Sequence, residues 1–178
     1  FIARADEITF TPHLVTRSTI CREFVSSALF RDLCFDLLGP SVRLYWDQAV
    51  YKKPGTTSPF PWHQDNGYAF VEPQQYLTCW VALTDTDANN GCPVVIPGLH
   101  RNGTLAHETT ELGFVCLDDP PNAVTVPARA GDIVVFSSLT PHGTGGNRTT
   151  SDVRKAYIVQ FAPDSAAVLT AHSDQRIT

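Results

Sequence analysis

The feature that most constrains the fold is the repeated alternation of short β-rich runs with turn residues after position 40. The runs are rich in β-branched and aromatic residues, which favour pleated strands. Pro54-Gly55, Asn90-Gly91 and Pro97-Gly98 supply turn chemistry between them. Many short strands of this kind are typical of a sandwich or barrel, and the jelly roll is one candidate. The predicted strands are 42–52, 75–84, 93–97, 123–127, 131–137 and 154–162.

One helix is predicted before this β-rich part. Residues 17–38 carry apolar side chains at near-helical spacing, and Gly39-Pro40 ends the run. Segments 54–74 and 98–122 are long and irregular, and long ordered loops are often functional. No repeat or linker divides the chain, so we expect a single domain over 1–178. The sequence has no Met, and we expect part of an N-terminal helical region to be missing.

Charge and cysteine usage exclude several classes of protein. The 13 basic and 18 acidic residues give a formal net charge of −5 without a basic cluster, so nucleic-acid binding is not expected. No apolar run approaches the ~20 residues that cross a bilayer, so no membrane partner is expected. The 5 cysteines form no CxxC pair, which indicates free thiols in a reducing cytoplasm.

The first candidate site lies in Trp62-His63-Gln64-Asp65. In an extended segment, residues two apart project from the same face. His63 and Asp65 would then present an imidazole and a carboxylate to one point. The pair alone is a weak signal, because a loop histidine beside a solvated aspartate has the same sequence.

His142 strengthens the signal because it follows the apolar run 133–136 and so lies near a strand end. Two histidines and one carboxylate make the facial triad of non-haem Fe(II) oxygenases, which leaves metal positions open. A third histidine would favour zinc and hydrolysis instead. His100 and His107 are available for that role, so the choice of metal stays open at this point.

Arg154 separates these alternatives. It begins the strand after a Gly-rich turn, and we expect that strand to return antiparallel to the one that ends before His142, bringing the guanidinium beside the metal. There it could pair bidentately with the carboxylate of a cosubstrate, with Thr144 adding a hydroxyl donor. A surface ion pair with Asp152 or Asp164 is the alternative.

Together these features resemble the phytanoyl-CoA dioxygenase-like family of Fe(II)/2-oxoglutarate-dependent oxygenases. The resemblance runs from about Tyr45 to Pro163. The segments that carry it are Lys53-Pro54-Gly55, Trp62-His63-Gln64-Asp65, Asn90-Gly91-Cys92, Ile96-Pro97-Gly98-Leu99-His100, Ala130-Gly131-Asp132 and Pro141-His142-Gly143-Thr144, with Arg154.

The resemblance implies a mainly β fold, a double-stranded β-helix (jelly roll, cupin-like) with a flanking helix. It implies two cofactors, Fe(II) and the cosubstrate 2-oxoglutarate, with ascorbate in the assay. The residues to which it assigns roles are His63, Asp65 and His142 as metal ligands and as the catalytic centre, Arg154 and Thr144 at the distal carboxylate of 2-oxoglutarate, and Trp80 in the cosubstrate pocket.

The implied reaction is hydroxylation of a small organic substrate by O2, with 2-oxoglutarate converted to succinate and CO2. Related halogenases have a small residue where this chain has Asp65, so the carboxylate favours hydroxylation. The expected substrate contacts are Asn66, Tyr68, Phe70 and Gln75. Two alternatives are a non-catalytic cupin-like protein that binds a metal or small ligand, and a zinc hydrolase, for which no general-base motif is present. The oligomeric state stays open.

Overall fold

The computed structural model describes residues 7–170 and 173–176. The strands are β1 (Ile8–Pro12), β2 (Val42–Lys52), β3 (Phe60–His63), β4 (Val71–Glu72), β5 (Leu77–Ala82), β6 (Pro93–Val95), β7 (Glu108–Thr110), β8 (Gly113–Val115), β9 (Val124–Thr125), β10 (Ile133–Ser137), β11 (His142–Thr144), β12 (Arg154–Pro163), β13 (Ala167–Thr170) and β14 (Ser173–Arg176). The helices are α1 (Leu14–Arg17), α2 (Thr19–Val25), α3 (Ala28–Leu38) and α4 (Asp65–Tyr68), with a 3-10 helix at Leu99–Asn102.

Two antiparallel sheets form the body of the molecule. The larger has the strand order β1-β2-β12-β5-β10, and the smaller has the order β3-β11-β6-β9. A three-stranded sheet, β14-β13-β4, and the hairpin β7-β8 lie outside these two. The strand order interleaves distant parts of the chain, as in the predicted double-stranded β-helix, and the mainly β fold is confirmed.

The core follows from alternation along the strands of the larger sheet. On β12, Ala156 and Ile158 face the smaller sheet and pack with Trp80 and Phe136. Residues of the opposite parity, such as Tyr157, face the helices instead. Because β12 is central and covered on both faces, its residues 156–162 are all buried, and they show no alternation of apolar and polar side chains.

The flanking helical part differs from the prediction of one helix over 17–38. The structure has two helices there, α2 and α3, separated by Ser26 and Ser27. Serine hydroxyls favour helix ends over helix interiors, and the backbone of Ser27 is extended, which ends one helix and begins the next. The periodic apolar pattern of the sequence continues across this break between α2 and α3. Phe30 and Cys34 then reach the larger sheet from α3. Within the described residues, no helix has the length and apolar character needed to cross a lipid bilayer.

Each predicted strand overlaps an observed one, and β2 has the predicted bounds. The expected pairing of β12 was wrong. β12 pairs with β2 and β5, and β5 lies between β12 and β10, the strand that ends before His142. Two successive antiparallel pairings make β10 and β12 run in the same direction. Arg154 therefore reaches the interior from β12, which lies between β2 and β5 and forms no hairpin with β10.

Candidate active site

His63 and His142 are brought together by the register of two strands. β3 and β11 pair antiparallel, with His142 directly opposite His63. Side chains opposite each other in an antiparallel pair point to the same face of the sheet. The two imidazole centroids are accordingly 4.2 Å apart, and both rings are buried.

Asp65 completes the cluster from the first residue of α4. Its Oδ1 lies 3.7 Å from Nε2 of His63 and 3.8 Å from Nε2 of His142. The ligand atoms of the three residues all lie within 4.8 Å of one another. Gln64 is extended, but a helical turn starts at Asp65, so the carboxylate is presented by a strand-to-helix junction and not by simple strand alternation.

The two histidines share one hydrogen-bonding arrangement. Nδ1 of His63 lies 2.8 Å from the carbonyl oxygen of Pro61, and Nδ1 of His142 lies 2.9 Å from that of Thr140. A carbonyl oxygen only accepts, so each Nδ1 carries a hydrogen, and Nε2 is the ring nitrogen of each histidine that faces Asp65. Burial, followed by the nearby His142, lowers the pKa of His63 well below its usual range. A neutral imidazole is the form that binds a metal, and this donor set is that of the facial triad.

The zinc alternative required His100 or His107 as a third histidine ligand. Among the described residues, the group of potential metal ligands at this point consists of His63, Asp65 and His142. Nε2 of His107 accepts a hydrogen bond from the backbone N–H of Gln64 at 3.0 Å, and its Nδ1 lies 2.8 Å from the carbonyl oxygen of Leu105. Both ring nitrogens of His107 thus contact backbone atoms, and one of these bonds holds the N–H of Gln64, between His63 and Asp65.

The side chain of Gln64 also anchors the segment 63–65, by bonds to two neighbouring loops. Its buried amide nitrogen donates to the carbonyl oxygens of Gly103 and Leu139, and its Oε1 accepts from the N–H of Leu105. A methyl group at Gly67 would lie 2.3 Å from the ring of His107, so glycine is required for the close packing of α4 on that ring. The loops around 98–107 and 137–141 are therefore tied to the metal-ligand segment.

Thr78 orients the carboxylate of Asp65. Nε2 of Gln160 donates to Oγ1 of Thr78 at 3.2 Å, and Oγ1 of Thr78 donates to Oδ2 of Asp65. Oδ2 is occupied by this bond, so Oδ1 is the oxygen that faces the two histidines. Partners of this kind fix the direction of a metal ligand.

Thr78→Val is therefore expected to weaken metal binding by about tenfold, because loss of an outer partner typically costs 10- to 100-fold in affinity. Titration with Mn(II), followed by calorimetry, measures the change. Thr125→Val makes the same substitution at an exposed position of β9 and should leave the affinity unaltered. Equal affinities for Thr78→Val and the unmodified protein would show that Asp65 needs no support from Thr78.

A cavity between the two sheets is lined both by the candidate metal-ligand cluster and by Arg154. Arg154 is 2% exposed, and its Cζ lies 5.6 Å from the ring centroid of Trp80. Among the described residues, Nε and Nη1 of Arg154 have no hydrogen-bond partner. Burial lowers the pKa of Arg154 to about 10, which still leaves a cation at neutral pH. A buried guanidinium with open donors, beside Thr144 in the same cavity, fits an anionic ligand.

The four expected substrate contacts occupy different environments. Asn66 is fully buried, donates to Thr104 and accepts from the N–H of Val71, so its amide packs the loop and does not line the cavity. Tyr68, Phe70 and Gln75 also lie outside the cavity lining. Tyr68 stands at the cluster, with its ring centroid 5.3 Å from that of His63.

Several cavity residues were not predicted from the sequence. Lys52 and Gln48 line the cavity from β2, while Thr78 supports Asp65 from β5. Alternation was the signal that could have found the first two. Gln48, Val50 and Lys52 have the same parity on β2 and point to the same side of the sheet.

Residues 2–156 match the model of the family described as phytanoyl-CoA dioxygenase (PhyH). The chain is 33% identical over 141 residues to peroxisomal phytanoyl-CoA dioxygenase of Mus musculus, an alignment that covers 72% of this chain and 41% of the relative. It is 30% identical over 146 residues to methylphosphonate hydroxylase of Gimesia maris, which covers 79% of this chain and 54% of the relative. Among solved structures, EvdO2 from Micromonospora carbonacea var. aurantiaca, complexed with 2-oxoglutarate, superposes with a TM-score of 0.74 at 25% identity, covering 95% of this chain and 71% of that one.

The chain spans about two fifths of the length of the mammalian relatives that it matches. The family match nevertheless extends over most of the chain and includes His63, Asp65, His142 and Arg154. The chain belongs to the phytanoyl-CoA dioxygenase family.

Proposed function

We propose that this chain carries the active site of an Fe(II)- and 2-oxoglutarate-dependent dioxygenase that hydroxylates a small organic substrate. One observation carries the proposal. A cluster of two histidines and one carboxylate shares a cavity with a buried guanidinium whose Nε and Nη1 have no hydrogen-bond partner among the described residues. A metal site alone has no use for that cation, whereas a cosubstrate with a second carboxylate does.

In this proposal His63, Asp65 and His142 hold Fe(II) on one side and leave its other positions to ligands from the cavity. Arg154 and Thr144 bind the distal carboxylate of 2-oxoglutarate, and Trp80 packs against the guanidinium. Apolar side chains between the two ends, such as Ile158 and Phe136, exclude water from the cosubstrate chain. EvdO2, with the same fold, was solved with 2-oxoglutarate bound.

When bound, Fe(II) and 2-oxoglutarate supply the oxidising chemistry: one atom of O2 enters the substrate as a hydroxyl, the other enters succinate, and CO2 leaves. The protein contributes orientation and shielding. Asp65 decides between hydroxylation and halogenation, because its carboxylate fills the position that related halogenases leave to chloride. Its bond from Thr78 keeps the carboxylate in that place.

The substrate approaches beside Tyr68, which is 45% exposed and stacks on Phe114 with a centroid separation of 4.8 Å. Small-molecule substrate and O2 are the partners that we propose, with no nucleic acid and no membrane, in keeping with a net charge of −5. We place the protein in the cytoplasm, since all five of its cysteines are free thiols. The mouse relative is named as peroxisomal, so this compartment is a prediction for localisation experiments.

The test is a substrate screen by mass spectrometry in the presence of Fe(II), ascorbate, 2-oxoglutarate and excess chloride. We expect succinate to form together with a product heavier by one oxygen atom, and no chlorinated product. Binding of metal and 2-oxoglutarate without succinate formation across the screen would favour the alternative, a non-catalytic cupin-like binding protein. A chlorinated product would refute hydroxylation.

A further inference from the structure

Lys52 is a second buried basic side chain in the lining of the cavity, beside Arg154. It is the last residue of β2, lies directly opposite Arg154 in the pairing with β12, and is 0% exposed. Its sequence neighbour Lys53 is exposed. Two neighbouring buried cations are unfavourable unless an anion compensates them.

Ion pairs between described residues supply no such anion. None of those ion pairs involves Lys52 or Arg154. Burial, followed by the charge of Arg154, lowers the pKa of Lys52 to about 7. A carboxylate entering the cavity would reverse the second effect and favour the charged ammonium.

Lys52 also determines how Thr144 can bond. Nζ of Lys52 lies 3.0 Å from Oγ1 of Thr144 and 2.6 Å from the carbonyl oxygen of Gly145. A protonated ammonium can only donate, so Oγ1 of Thr144 accepts and its own hydrogen is directed elsewhere. Thr144 lines the cavity, and its hydroxyl is thereby set as a donor toward a ligand there.

We propose that Lys52 is a positioning residue of the cosubstrate site, which fixes Thr144 as a donor and adds the charge that makes the pocket select a 2-oxo dicarboxylate over a 2-oxo monocarboxylate. This inference rests on the proposed function and deepens it. Arg154 binds the distal carboxylate directly, and Lys52 acts on it through Thr144 and through its charge. In the proposed function, the 2-oxo acid end of the cosubstrate binds at His63, Asp65 and His142, which line the same cavity.

The test compares two ligands of equal carbon chain length, 2-oxoglutarate and 2-oxovalerate, which lacks the distal carboxylate. Binding to the protein loaded with Mn(II), which supports no turnover, is measured by calorimetry. Lys52→Met should weaken 2-oxoglutarate binding by about tenfold or more, because bonds to charged groups are the stronger ones. Binding of 2-oxovalerate should change less than about twofold, since it makes none of the distal contacts. Lys53→Met, the same change at the exposed neighbour, should alter neither.

Folding of the variants is checked by circular dichroism and thermal melting. If Lys52→Met fails to fold, Lys52→Gln keeps an N–H donor for Thr144 and Gly145 while removing the charge, and a smaller loss of selectivity in the same direction is expected. Equal weakening of both ligands would show that Lys52 has only a structural role, and unchanged binding of both ligands would show that it does not contribute to the cosubstrate site. If the unmodified protein binds neither 2-oxo acid, the proposed function itself fails, which is a separate result from the failure of Lys52.

Discussion

Asp65→Ala is expected to lower the affinity for Fe(II) by more than about 100-fold, because even the loss of an outer partner of a metal ligand costs 10- to 100-fold. Formation of succinate and of hydroxylated product should fall below detection. His63 and His142 would remain, but two neutral imidazoles carry no charge to offset that of the ion. Metal titration by calorimetry and a succinate assay measure the two effects.

Asp118→Ala is the matched control, because it removes an exposed carboxylate that lies outside the cavity. It should bind iron and turn over like the unmodified protein. If Asp65→Ala kept its iron affinity, the carboxylate would not be a ligand, and the two histidines alone would hold the metal. Added chloride should not restore activity to Asp65→Ala, since we expect iron to be lost before a vacant position can be used.

The convergence of His63, Asp65 and His142 could be predicted because few residue types bind iron and because each of the three stands beside a recognisable strand or turn. The strand register that brings His63 opposite His142 could not be predicted. The sequence predicts an irregular segment at β3, since Phe60-Pro61-Trp62-His63 is short and contains a proline without a backbone donor. Pairing with β11 overrides that local preference and places His63 opposite His142. Strand pairing over this distance in sequence is decided by the packing of both sheets.

The path of Arg154 to the cavity shows the same limit. Local signals predicted its strand well, but the expected neighbour was wrong because β12 lies between β2 and β5. The interior position of Arg154 is nevertheless consistent with the parity of β12, on which Ala156 and Ile158 face the same cavity side. Parity along one strand can be read from sequence, whereas the order of strands in a sheet depends on contacts among distant segments.

Arg154→Leu is expected to raise the KM for 2-oxoglutarate by about 10- to 100-fold, since one charge-assisted hydrogen bond contributes about 1.5–3 kcal/mol. Leucine keeps an apolar contact with Trp80 and removes a buried cation whose Nε and Nη1 are without partners among the described residues. The melting temperature of the ligand-free protein should therefore not fall, because an apolar side chain avoids the cost of burying open donors. Steady-state kinetics at saturating substrate and thermal melting measure the two quantities.

Lys155→Leu is the control for this second prediction. Lys155 follows Arg154 on β12 but is exposed, with its Nζ 5.8 Å from the ring centroid of Tyr51. The same substitution there removes a cation of similar length from the opposite face of the strand, so KM should stay within about twofold of the unmodified value, as for most exposed charges. An unchanged KM in a folded, active Arg154→Leu preparation would place the distal carboxylate elsewhere. A raised KM together with a lowered melting temperature would instead indicate that Arg154 supports the fold, and that its open donors find a partner when the protein is folded in solution.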